Sequence, residues 1–233
     1  MAGLVSAETF YANIRHMFPA GQLSQPNVDG MNALLHEGSS ANLVLDEMAF
    51  VLANVHRETG GYMYPIKETV QVYHKDKNPS DATVKARLEK AFAAGKLHGV
   101  SQPYWRSGRF GRGQIQISVG NYERLSSYVG VNLGLEPERA LELPISAKIA
   151  IIGMQKGLFT GKKLSDYSFP DAVRNPPNKN PRRIVNGNDG SDHEVAGFYN
   201  SYRTALRAAG WIAQQAHVDA QGVVESHVAT ARS

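Results

Sequence analysis

Residues 42–61, NLVLDEMAFVLANVHRETGG, decide how this chain is read. Leu45, Met48, Leu52 and Val55 recur at steps of three, four and three, which sets them on one face of a helix with Asn42 as its candidate cap. Three residues further along the same face stands Glu58, just before the paired glycines Gly60 and Gly61. A carboxylate at the end of a core-facing stripe is out of place, because burying charge is costly. A cleft that partly desolvates it raises its pKa toward the value a general acid needs. The competing reading is a carboxylate that ends the helix and points to solvent.

Working outward, helical spacing recurs over 7–18 through Phe10, Ile14 and Met17, and again from a Ser24 cap through Val28, Met31, Leu34 and Leu35. The segment HEGSSA, 36–41, is expected to break that second helix. Further helices are predicted over 84–94, 122–128 and 137–141, and over 145–156 behind Pro144, whose broad apolar surface implies a central, enclosed position. A last helix begins at Ser191, with Glu194 completing a capping box, and runs through Val195, Phe198, Tyr202 and Leu206. Polar and apolar alternation in Gln114-Ile115-Gln116-Ile117-Ser118 predicts a strand in a small ribbon beside the helices. Residues 62–82 and the proline-rich 170–190 read as loop, and a loop as long as the latter commonly contributes to a site. The expectation is a single mainly α domain over 1–217, with 218–233 as a tail.

Composition narrows the function. The chain has no cysteine, which rules out disulfide frameworks, thiol chemistry and thiolate metal sites. A net charge of +4 modestly favours an anionic polymer as partner. The first residues carry neither a basic start nor a continuous apolar run, and no stretch reaches the length of a membrane span. The expected location is therefore the cytoplasm, without stable membrane insertion.

Glu58 and Glu68 flank a short segment containing glycine and proline, TGGYMYPIK. Inverting cleavage of a glycosidic bond uses two carboxyl groups, one protonated and one ionised, roughly 6.5–9.5 Å apart. Gln114, Gln116, Ser118 and Asn121 offer neutral donors and acceptors for water or sugar hydroxyls, and Tyr62, Tyr64, Tyr104 and Trp105 offer flat faces for sugar rings or for core packing. Arg106, Arg109 and Arg112 suit either carboxylates of a substrate or structural pairing. Metal chemistry is disfavoured, since His56, His74, Asp76 and His98 fit no zinc spacing and HRETG is not HExxH. GRFGRG, 108–113, lacks the lysine and hydroxyl ending of a phosphate loop, and no GxSxG elbow surrounds Ser118. A nucleic-acid binder would leave the acids without a role.

With these residues in view, the sequence resembles glycoside hydrolase family 19, in its bacteriophage and prophage endolysin branch. The resemblance rests on HRETGG (56–61), PIKE (65–68), GRGQIQIS (111–118), Asn121-Tyr122, SAKIAIIGM (146–154), GLFTGKKLSDY (157–167) and RRIVNG (182–187), in that order along the chain. It implies a mainly helical, two-lobed, lysozyme-like fold with a small β-ribbon beside a cleft. It implies that Glu58 protonates the glycosidic oxygen, that Ser118 holds the attacking water, and that Gln116, Asn121, Tyr122 and Asn186 line or brace the sugar cleft; Tyr62 and Arg109 are candidate contacts on their own chemistry. Glu68 is the candidate second carboxylate, unless it holds an arginine instead. Where the family places histidine directly before the acid, this chain has Arg57, with His56 one position earlier.

The expected activity is cofactor-free and metal-free hydrolysis of β-1,4 bonds in bacterial peptidoglycan by a monomer, released from the host cytoplasm with the help of a holin. A chitinase and a non-catalytic wall-binding protein are the alternatives.

Overall fold

The computed structural model describes residues 3–97, 99–117 and 119–213, together with 217–218 and 224–225. Seven α-helices are found among them: α1 (Ala7–Ile14), α2 (Gln25–Ser40), α3 (Leu45–Thr59), α4 (Asp81–Ala93), α5 (Asn121–Val129), α6 (Leu143–Lys156) and α7 (Asp192–Ala208). Two short antiparallel pairs accompany them. β1 (Ile66–Lys67) pairs with β2 (Arg112–Gly113), Ile66 opposite Gly113, and β3 (His217–Val218) pairs with β4 (Val224–Glu225). The rest of the expected tail lies outside the described residues. No helix among them is long and apolar enough to cross a membrane.

The centre of the fold is α3, where every residue from Met48 to His56 is buried. One apolar stripe is expected from the sequence; the structure encloses the helix on all sides, with α7 along one flank and α2 and α6 along others. Helix α6 is largely buried too, but α3 is the more enclosed of the two. The small residues Ala49 and Ala53 make this possible, because their neighbours approach the helix backbone closely.

Several expected boundaries move for identifiable reasons. Helix α2 runs through HEGSSA to Ser40. Gly38 there does not break the helix but lets it press on α3, since a Cβ at this position would stand 2.3 Å from Met48 Sδ. Asn42 does not cap α3. It adopts a left-handed turn with φ 57°, and the Val44 amide is met by the Glu47 carboxylate at 3.3 Å. The Ser24 cap of α2 forms as expected, with Asn27 returning the bond to the Ser24 amide at 2.8 Å. Ser191 stands at the start of α7 but makes no capping bond, because its hydroxyl is engaged by Arg182 and Asp189. Glu194 instead pairs with Arg57 at 2.8 Å.

The ribbon also lies earlier than the alternation predicts. Extended structure ends at Gly113, where φ is 89°, and residues 114–116 form a turn with Gln116 at φ 52° before Ile117 bridges back to Arg112. The polar and apolar alternation there reflects a turn with alternately buried sides, not a strand. Gln114 is fully buried, and its Nε2 donates to the Met63 and Gly30 carbonyls at 2.6 and 3.2 Å, pinning the ribbon to the loop after α3. Arg112 is likewise fully buried. It donates to Gly108 O at 2.7 Å, to Tyr122 Oη at 3.1 Å and to Asp81 Oδ2 at 2.6 Å, and its guanidinium lies 3.9 Å from the Phe110 ring centre. Lys67 completes the cluster by pairing with Asp81 at 2.7 Å.

Candidate active site

Glu58 occupies the last turn of α3, and Gly60 and Gly61 turn the chain immediately after it with φ of 59° and 79°. The Gly61 amide donates to His56 O at 2.8 Å, closing the helix end. The Glu58 side chain is only 11% exposed, so it is neither a solvent-facing terminus nor sealed in the core. It lines a cleft of about 450 Å³ together with Glu68, Gln116, Asn121, Thr160 and Asn186.

One arginine governs this carboxylate. Arg182, itself buried, donates through Nη2 to Glu58 Oε1 at 2.6 Å and to Asp189 Oδ2 at 2.7 Å. Its Nη1 donates to Asn54 Oδ1 and its Nε to Ser191 Oγ, each at 2.8 Å. Burial pushes the Glu58 pKa up, while the Arg182 charge and hydrogen bond pull it down; burial wins and the carboxyl stays above its ordinary value. Asp189 shows the opposite balance. Its burial is outweighed by bonds from Arg182 and Ser191, which hold it well below the usual carboxylate range. Two acids on one cation thus diverge, one poised to carry a proton and the other firmly ionised. Glu58 Oε2 has no hydrogen-bond partner among the described residues, and the side chain lines the cleft.

Glu68 follows β1 across the cleft. Its Oε1 accepts from the Tyr104 hydroxyl, and its Oε2 accepts from the Gly111 amide at 2.7 Å. Among the described residues no arginine is paired with it. Gln116 turns its amide inward, with Nε2 donating to the Ile66 and Gly113 carbonyls at 2.9 and 2.8 Å. Asn121 opens α5, and Asn186 donates to Asp189 at 3.3 Å; both reach the cleft wall. Thr160 ties that wall together by donating to Arg183 O at 2.6 Å.

Three expected contacts are not on the wall. Tyr122 is fully buried, donating to Phe110 O at 2.5 Å, and braces the cleft from behind. Arg109 is committed to Glu123 and to Gly134 O at 3.0 Å. Tyr62 packs on Tyr64, beneath Lys77. Ser118 lies outside the described residues, as does His98. His56 is a core residue, with Nδ1 2.9 Å from Tyr202 Oη and its ring 4.1 Å from Phe198. Burial lowers its pKa to about 4, so it is neutral at physiological pH. Arg57 points to α7 through its Glu194 pair and leaves the cleft to Arg182.

The residues that sequence reasoning passed over are Asn54, Arg182 and Asp189. Their signal is indirect, since a buried carboxylate requires a buried cation somewhere, and RRIVNG lies in the long loop flagged as a site contributor.

No protein-family model and no curated protein matches the sequence. Solved structures do. Chitinase C from Streptomyces griseus matches at 20% identity over 92% of this chain and 80% of that one, with a TM-score of 0.50. A bacterial family 19 chitinase matches at 23% identity over 91% of this chain and 97% of that one, also with a TM-score of 0.50. The likeness is one of backbone architecture: this chain has the mainly helical, lysozyme-like fold of the family 19 chitinases.

Proposed function

We propose that the protein is a glycoside hydrolase that cleaves β-1,4 bonds of bacterial peptidoglycan by inversion. The observation that carries the reading is Glu58 itself: a partly desolvated carboxyl with a raised pKa, one oxygen fixed by Arg182 and the other open to a cleft. In this reading Glu58 gives its proton to the glycosidic oxygen as the bond breaks. Glu68, held by Tyr104 and the Gly111 amide, takes a proton from the water that attacks the far side of the sugar. Gln116, Asn121 and Asn186 hydrogen-bond the sugars. No metal or cofactor enters any of these steps. The biological role is that of an endolysin acting as a monomer, reaching the wall from the host cytoplasm through a holin.

The chitinases among the fold relatives favour a second reading, with an N-acetylglucosamine polymer as substrate. One assay separates the two: purified peptidoglycan and chitin oligomers are digested in parallel and the products weighed by mass spectrometry. Hydrolytic reducing ends from peptidoglycan, absent with Glu58→Gln, are the expected result. Anhydro sugars would mean a lytic transglycosylase, freed peptides an amidase or peptidase, and turnover of chitin alone the second reading. Wall binding without any product would mean a binding module.

A further inference from the structure

A hollow of about 810 Å³, larger than the Glu58 cleft, opens between α4 and residues 69–73. Its floor is apolar, built from Val70, Leu88, Ala91 and Leu97, and Val72 and Tyr73 stand 77% and 37% exposed at its edge. Three cations, Arg87, Lys90 and Lys96, also line it. Arg87 pairs with Asp76 at 2.8 Å and stacks 4.1 Å from the Tyr73 ring centre, yet its Nη1 is buried without a hydrogen-bond partner. Lys90 and Lys96 are exposed, and neither has a carboxylate within ion-pair distance among the described residues. Among the described residues the one acid in the lining is Glu68, which also lines the catalytic cleft, so the two hollows adjoin at this residue.

A chain threaded past Glu58 and Glu68 therefore runs by the mouth of this hollow. A glycan stripped of its peptides is polar and offers the cations at most the single carboxylate left on each muramic acid, so it leaves the apolar floor uncovered and the cations only partly met. Alanine-rich peptides bearing free carboxylates satisfy both, with methyl groups against the floor and carboxylates at the lysines and Arg87.

We infer that the hollow between α4 and residues 69–73 receives the peptide substituent of the wall polymer. It thereby favours peptide-bearing glycan over bare aminosugar chains. This rests on the peptidoglycan reading above.

The test compares uncrosslinked peptidoglycan strands with the same strands stripped of peptide by an amidase, following new reducing ends. The variants are Lys90→Glu with Lys96→Glu, both exposed and outside the Glu58 cleft, and separately Ala86→Trp, which fills the hollow from an exposed position on α4. On peptide-bearing strands KM is expected to rise roughly fivefold for the double variant with kcat unchanged, as two lost surface charge pairs give. On stripped strands, whose muramic acids keep one carboxylate each, Ala86→Trp is expected to leave KM unchanged and the double variant to raise it less than on peptide-bearing strands. An equal change on both strands, or no change on either, overturns the inference while leaving the hydrolase standing. If the unaltered protein opens neither strand, the peptidoglycan reading fails and the inference falls with it.

Discussion

Arg182 reaches Glu58 at 2.6 Å across a sequence separation of 124, and the same nitrogen also serves Asp189 at 2.7 Å. The sharing matters more than either contact alone. A cation devoted to Glu58 would hold it ionised; here Asp189 takes part of that charge, and burial keeps the Glu58 carboxyl above its ordinary pKa. The Glu58 carboxyl therefore holds a proton to higher pH than an ordinary carboxylate does, which is what the proposed acid role requires.

Glu58→Gln keeps an acceptor for Arg182 and removes the proton donor. Hydrolysis is expected to fall by about 10²–10⁴-fold, with the unfolding midpoint nearly unchanged. Reducing-end assays and thermal melts on the same preparation check both halves. Retained turnover would remove Glu58 from the chemistry.

The pH profile is expected to respond to Arg182. As an acid with a raised pKa, Glu58 is active below that value, and rate falls as pH rises through it. Lysine at position 182 keeps a charge but cannot serve Glu58, Asp189, Asn54 and Ser191 together. With the downward pull weakened, the alkaline limb of kcat in Arg182→Lys is expected to move to higher pH. A limb that stays fixed would mean that another group sets it.

His56 gives the fold its own pH dependence. Its folded pKa of about 4 lies below the ordinary 6.5, so the unfolded chain binds the extra proton between those values. The stability it contributes is complete above about 6.5 and is lost as pH falls toward 4, a loss on the order of 2–3 kcal/mol. Urea titrations at several pH values are expected to show that slope, and His56→Leu to flatten it.

Gly30→Ala tests the join between α2 and the loop that follows Glu58. An added Cβ would stand 2.1 Å from the Met63 carbonyl oxygen, the acceptor that Gln114 uses at 2.6 Å. Backbone cannot yield as a side chain does, so a loss of about 3 kcal/mol is expected, readable as a lowered unfolding midpoint. Gly21→Ala has open space around it and reports only the strain of its φ of 66°.

What the sequence reveals and conceals follows from where each interaction is made. The stripe from Leu45 to Val55 and the glycine pair after Glu58 are local, so the helix, its end and its odd carboxylate are legible in one dimension. Gly38 misleads because its neighbour Met48 lies on another helix, and Asn42 because it adopts a left-handed turn and Glu47 takes over as the cap. Tyr122 and Arg109 are polar residues next to cleft-lining segments, yet Arg112 and Glu123 claim their polar atoms. Arg182 is the least legible, since no spacing within RRIVNG indicates which acid it meets.

Arg112 sets a limit on how the molecule can breathe. By binding Gly108, Tyr122 and Asp81 at once, it welds the ribbon, the first turn of α4 and the buried side of α5 into a single block, and Glu68 rides on that block through the Gly111 amide. Any change in the spacing between Glu58 and Glu68 is then expected to come from the chain segments leaving the block and not from bending of the ribbon.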